Sequence, residues 1–148
     1  MIFRKLHSDS QLPVIKTKLS AGIDLYSYET LTLSSLETKV IGTGVWFDKD
    51  GGPVGDRSMF SGSYFFILEL RSSLRAKGLS SLGTGIIDFD YTDEWKVVIC
   101  NITENTQRIE KGERIAQAVL LRHFSTYLVG GAAEERYTRT GGFGSTGS

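Results

Sequence analysis

An all-β fold with one short helix is what this sequence predicts, on three observations. Apolar runs are short, at roughly 23–28, 39–47, 64–70, 95–102 and 115–121, and glycine, serine and aspartate punctuate them. The run at 95–102, Trp95-Lys96-Val97-Val98-Ile99-Cys100-Asn101-Ile102, is rich in β-branched residues, which fit a pleated, half-buried surface. At 148 residues and 40% hydrophobic content, the chain has the apolar material for one domain that buries most of its apolar surface.

The elements follow in chain order. The second run ends with Gly44-Val45-Trp46-Phe47, a strand that stops at the turn signal Asp50-Gly51-Gly52-Pro53. Residues 48–63 are polar and glycine-rich, a surface loop or hairpin tip. A short helix is predicted over Ser73–Lys77, with serines to cap its start and Gly78 at its C-terminal end. Glu110 to Phe124 reads as strand, although Glu-Arg-Ile-Ala-Gln-Ala-Val-Leu-Leu within it also has good helix formers. Residues 139–148 form a tail apart from a 1–138 domain, because four glycines and four hydroxyl residues around one ring cannot pack a core.

Composition excludes several function classes. Seventeen basic residues balance seventeen acidic ones, so no global field gathers a nucleic acid polymer. No run approaches the ~20 apolar residues of a membrane span, and the start, Met1 to Ser8, lacks an apolar signal core, so a cytoplasmic location is expected. One cysteine, Cys100, and two distant histidines, His7 and His123, speak against a disulfide framework or a zinc site. Cys100 reads as a packed thiol.

Five segments carry chemistry. Asp88-Phe89-Asp90-Tyr91-Thr92-Asp93-Glu94 puts four carboxylates in seven residues after the uncharged Gly83 to Ile87. Such a run is usually solvated surface, but Asp88 follows two β-branched residues that can hold it at an apolar edge, where a carboxylate orients and deprotonates water. Arg71-Ser72-Ser73 offers a guanidinium and two hydroxyls at a helix start, either a cradle for phosphate oxygens or an ordinary cap. Asp24 can hold a hydrated magnesium ion, or sit buried on backbone amides; Gln117 can bond a phosphate or a sheet neighbour. The tail can wrap phosphates with glycine N–H groups, Ser145, Thr146 and Arg139, while Phe143 stacks on a base, a contact worth roughly 1–3 kcal/mol in nucleic-acid complexes. Composition alone also permits a frayed terminus there.

In type and order these segments resemble the five motifs of the trimeric all-β dUTPases, the deoxyuridine triphosphate nucleotidohydrolases. They read AGIDLYS at 21–27, RSSL at 71–74, GIIDFDY at 85–91, GERIAQAVL at 112–120 and GGFGSTG at 141–147. The resemblance implies a jelly-roll-like fold, a homotrimer with sites between subunits, Mg2+, and conversion of dUTP and water to dUMP and pyrophosphate. It implies that Asp88 activates the water and touches the 3′-hydroxyl, and that Tyr91 lies against the sugar. Gly85, Ile86 and Ile87, with Lys96 on the returning strand, correspond to a hairpin whose backbone pairs with uracil. Arg71, Ser72, Ser73 and Gln117 correspond to phosphate contacts and Asp24 to a magnesium ligand through water. Arg139, Phe143, Gly144, Ser145 and Thr146 correspond to a mobile tail that covers the base and wraps the phosphates.

Four features depart from the family's pattern. Leu70 stands where proline is usual, and Asp93 where glycine is usual. Thr138 occupies the place of the tail arginine, with Arg139 one position on. The interval from Asp24 to Arg71 is long, which makes 48–63 an insertion and a candidate docking loop for a protein partner. A deoxycytidine triphosphate deaminase shares the implied fold, and a nucleotide-sensing interaction protein using the 48–63 loop is the non-catalytic alternative.

Overall fold

A computed structural model describes residues 2–51 and 64–123, and the statements below concern those residues. The chain forms β1 (Ile2–Lys5), β2 (Gly22–Tyr26), β3 (Leu31–Leu33), β4 (Thr38–Gly42), β5 (Val45–Asp48), β6 (Tyr64–Leu70), α1 (Ser72–Ala76), β7 (Leu79–Ser80), β8 (Gly85–Asp88), β9 (Lys96–Asn101), β10 (Gln107–Ile109) and β11 (Arg114–Arg122). All pairings are antiparallel. A four-stranded sheet runs β2-β11-β6-β8, a three-stranded one β4-β9-β7, and β1-β5 and β10-β3 form two-stranded ribbons. This is the predicted all-β, jelly-roll-like architecture with its one short helix.

The ambiguous 110–124 segment is a strand because both of its edges are claimed. β11 pairs with β2 from Arg114 to Val119 and with β6 from Ala116 to Arg122, so ladders on two sides satisfy its backbone groups. Propensity yields to that tertiary pairing. The 39–47 run is two strands. Gly44, at φ +67°, turns the chain so that β4 joins β9 and β5 joins β1. The serines do not cap α1: its N-cap is Arg71, no side chain bonds the helix start, and Ser72 and Ser73 fall inside the first turn. Gly78 ends the helix at φ +79°, where a Cβ would also collide with Thr103.

Alternation places Leu25, Leu68, Leu70, Ala116 and Ala118 on the inner face of the four-stranded sheet, all buried. They pack with Leu33, Ile41, Ile99, Ile109 and Ile115 in one core. At one end Trp95 is fully buried between Phe66, at 4.8 Å, and Phe3, at 4.9 Å, both edge-on. Cys100 is buried as expected.

Candidate functional site

The expected site residues fall into two groups. In the first, Asp24 on β2 lies in register with Gln117 on β11, which in turn faces Glu69 on β6. Residues paired in register share a sheet face, so these three lie opposite the core-facing leucines. Asp24 is nonetheless 1% exposed. Its Oδ1 accepts from Gln117 Nε2 at 3.2 Å and pairs with Arg71 Nη1 at 3.0 Å, while Oδ2 accepts from Arg114 Nη1 at 3.2 Å. Two guanidinium groups around one carboxylate leave an excess positive charge, and both reach solvent, with side chains 23% and 44% exposed. Such a corner attracts an anion. Sequence reading missed Arg114, although it stands within GERIAQAVL; its partner lies 90 residues away in the chain.

The second group lines a cavity of about 310 Å³. Its walls include Gly85, Ile86, Ile87 and Asp88 of β8, Tyr91 of the following turn, and Lys96, Val97 and Val98 of β9. Leu68 and Leu70 form the apolar floor. Here the expected hairpin is corrected. β8 pairs with β6 and β9 pairs with β4 and β7, so the two strands belong to different sheets and diverge around the cavity. β8 is the edge of its sheet, and β7 meets β9 only at Cys100 and Asn101. A row of backbone donors and acceptors on β8 therefore has no ladder partner among the described strands. A flat, hydrogen-bonding ring fits that combination of apolar floor and polar edge. Asp88 is exposed at the rim, in the turn closed by Tyr91 N–H donating to the Asp88 carbonyl at 3.1 Å.

Asp24, Arg71 and Gln117 do not line this cavity. Ser72 and Ser73, exposed in the first turn of α1, adjoin the Arg71 group. Arg139, Phe143, Gly144, Ser145 and Thr146 lie outside the described residues, as do residues 52–63 of the 48–63 loop. Of that loop, Asp48 is anchored at 3.0 Å by Arg4, whose hydrogen bond holds its carboxyl below the ordinary carboxylate range. Among the described residues no three acidic, histidine or cysteine side chains cluster as a metal cage, and no helix is long and apolar enough to cross a membrane.

The all-β domain thus carries an apolar, polar-edged slot that suits a ring and, apart from it, a two-arginine corner that suits an anion. A family profile described as dUTPase matches residues 61–147. The deoxyuridine 5′-triphosphate nucleotidohydrolase of Nautilia profundicola is 36% identical over 97% of this chain and 96% of its own. A mutant dUTPase of Staphylococcus bacteriophage 80alpha, solved with dUpNHpp, superposes with a TM-score of 0.69 at 26% identity, covering 99% of this chain and 97% of that one. A mutant dUTPase from phage phi11 of S. aureus, in which a structural Mg(II) ion is coordinated, has a TM-score of 0.67 over 93% and 95% of the two chains; at 22% identity it shows the fold alone. This chain belongs to the dUTPase family.

Proposed function

We propose that the chain hydrolyses dUTP to dUMP and pyrophosphate, limiting uracil in DNA and supplying a dTMP precursor. The observation that carries this is the cavity: in a chain of this family, the GIIDFDY segment lines a slot of a size and polarity suited to a pyrimidine. The deaminase alternative is not favoured, since the relatives named above are hydrolases.

The roles follow from the site chemistry and the family motifs. The free edge of β8 at Gly85, Ile86 and Ile87 pairs with the uracil edge, with Lys96 across the cavity. Tyr91 lies against the deoxyribose. Asp88 orients a water and takes its proton as the oxygen attacks the α-phosphorus and the bond to the pyrophosphate oxygen breaks. Arg71, Ser72, Ser73 and Gln117 hold phosphate oxygens. In the tail, Arg139, Phe143, Gly144, Ser145 and Thr146 close over the bound nucleotide and exclude water, which makes 139–148 a functional segment apart from the 1–138 domain.

Asp24 suits an outer-sphere magnesium ligand. Arg71, Gln117 and Arg114 use three of its roughly four acceptor directions, leaving one on Oδ2 for a water. With no acidic cage among the described residues, the ion would arrive on the triphosphate. Bound there, Mg2+ supplies neutralising charge for the leaving pyrophosphate.

β2, which carries Asp24, and β8, which lines the slot, are opposite edges of the four-stranded sheet, and none of Asp24, Arg71 and Gln117 lines the cavity; this supports a homotrimer in which one copy offers the base slot and another the phosphate corner. We place the enzyme in the cytoplasm, with the deoxynucleotide pool. Residues 48–63 are proposed as the docking loop for any protein partner. The test is pyrophosphate release across dUTP, dTTP, dCTP and UTP with Mg2+: strong preference for dUTP is expected, and comparable turnover of dTTP or UTP would overturn the assignment.

A further inference from the structure

The acidic run that contains Asp88 is not uniform. Asp88, Asp90 and Asp93 are exposed, whereas the Glu94 carboxylate is turned inward, with its side chain 22% exposed. Its Oε1 accepts the backbone N–H of Gly44 at 2.8 Å, across 50 residues of chain. Its Oε2 lies 3.8 Å from Lys96 Nζ. The Glu94 carbonyl accepts from the Tyr91 hydroxyl at 3.4 Å. One residue thus touches Tyr91, Lys96 and the elbow where β4 gives way to β5.

The elbow is shaped to receive it. Gly42 has no side chain where a Cβ would stand 2.6 Å from Glu94 Oε1. Gly44, at φ +67°, presents its N–H to that oxygen. Next along the chain, Trp95 N–H donates to the Val45 carbonyl at 2.9 Å, and the Trp95 carbonyl accepts the Thr43 hydroxyl at 2.7 Å. The turn carrying Asp88 and Tyr91 is therefore fixed at its far end to the elbow through Glu94 and Trp95.

We propose that Glu94 is a positioning residue for the hydrolysis described above: by clamping the turn to the Gly42–Gly44 elbow it sets where Tyr91 meets the sugar and Lys96 meets the cavity, and so contributes to rejection of ribonucleotides. This rests on the dUTPase reading of the cavity. The clamp is a charge-assisted hydrogen bond in a partly screened position, and a small displacement at a substrate-facing ring is costly.

The test compares wild type, Glu94→Ala, Glu94→Gln and Gly42→Ala. Glu94→Gln keeps an acceptor for Gly44 and should hold the wild-type ratio of kcat/KM for dUTP over UTP. Glu94→Ala should lower kcat/KM for dUTP roughly tenfold and the dUTP-over-UTP ratio at least about fivefold. Gly42→Ala keeps the glutamate but displaces its carboxylate, so it should move the ratio in the same direction, even if Glu94→Ala folds poorly. Hydrogen exchange of the Gly44 amide, read without nucleotide, should quicken in Glu94→Ala and stay slow in Glu94→Gln. Unchanged exchange in Glu94→Ala would show that the clamp does not exist. Faster exchange with an unchanged ratio would reduce Glu94 to a structural tie and overturn the positioning role. A wild-type enzyme indifferent to the sugar would be seen before any variant is made, and would overturn the nucleotide reading and this inference with it.

Discussion

Asp88 and Asp24 are both aspartates of family motifs, yet their surroundings separate their roles. Asp88 is exposed at the cavity rim, able to meet a water, so Asp88→Asn should keep the fold and nucleotide affinity while kcat falls by about 10²–10⁴, the range for loss of a general base. Steady-state pyrophosphate release beside nucleotide titration checks this, and a mutant with near-normal kcat would pass the role to Asp90. Asp24 is enclosed by two guanidinium groups and an amide. Asp24→Ala leaves those donors without their acceptor, and urea unfolding should show a loss of about 1–3 kcal/mol, moderated because both arginines reach solvent. Asp88 was legible because its apolar approach and acid stand side by side in the chain. Arg114 was not, since only folding brings it to Asp24.

At the scale of elements, legibility tracked length and local context. Long runs such as 64–70 and 95–102 were visible, whereas β3 and β10, three residues each, fall below any periodicity window. β8 was recognisable as extended chain, but its choice of β6 over β9 is a tertiary fact, and that choice opens the cavity. Tyr91 hangs on the turn after β8, so Tyr91→Ala should relax rejection of UTP more than rejection of dTTP, measured as ratios of kcat/KM. A second tie joins loops that do not line the cavity. Lys111 Nζ pairs with Asp9 at 2.6 Å and sits 4.3 Å from the centre of the Tyr28 ring, whose hydroxyl donates to Asp9 at 3.1 Å. The Lys111 hydrogen bond, then that of Tyr28, holds the Asp9 carboxyl below its ordinary value. A lowered folded-state value stabilises the fold above the unfolded value and is lost as pH falls through the folded one. Melting curves of wild type and Asp9→Asn should therefore differ at neutral pH and converge as pH falls past the unfolded aspartate value and through the lowered folded one.

For the whole molecule, the decisive geometry is the strand order of the four-stranded sheet. β2, with Asp24, and β8, with Asp88, are the two edges of the four-stranded sheet, β11 and β6 stand between them, and Asp24, Arg71 and Gln117 take no part in lining the cavity. In the proposed homotrimer a nucleotide seated in the slot of one chain meets the arginine corner of another, and a closed ring lets every copy give one surface and receive the other. Mixed assemblies test this directly. A chain with Asp88→Asn has an intact phosphate corner, and one with Arg71→Ala has an intact slot. Each alone should be nearly inactive. Refolded together in equal amounts, about a quarter of the sites should join the two intact halves and recover turnover, because each half is drawn independently from the pool. Pyrophosphate release by the mixture, with mixed assembly verified by native mass, measures that fraction. Were both groups supplied by one copy, every site would carry one defect or the other, and no proportion of mixing would restore activity.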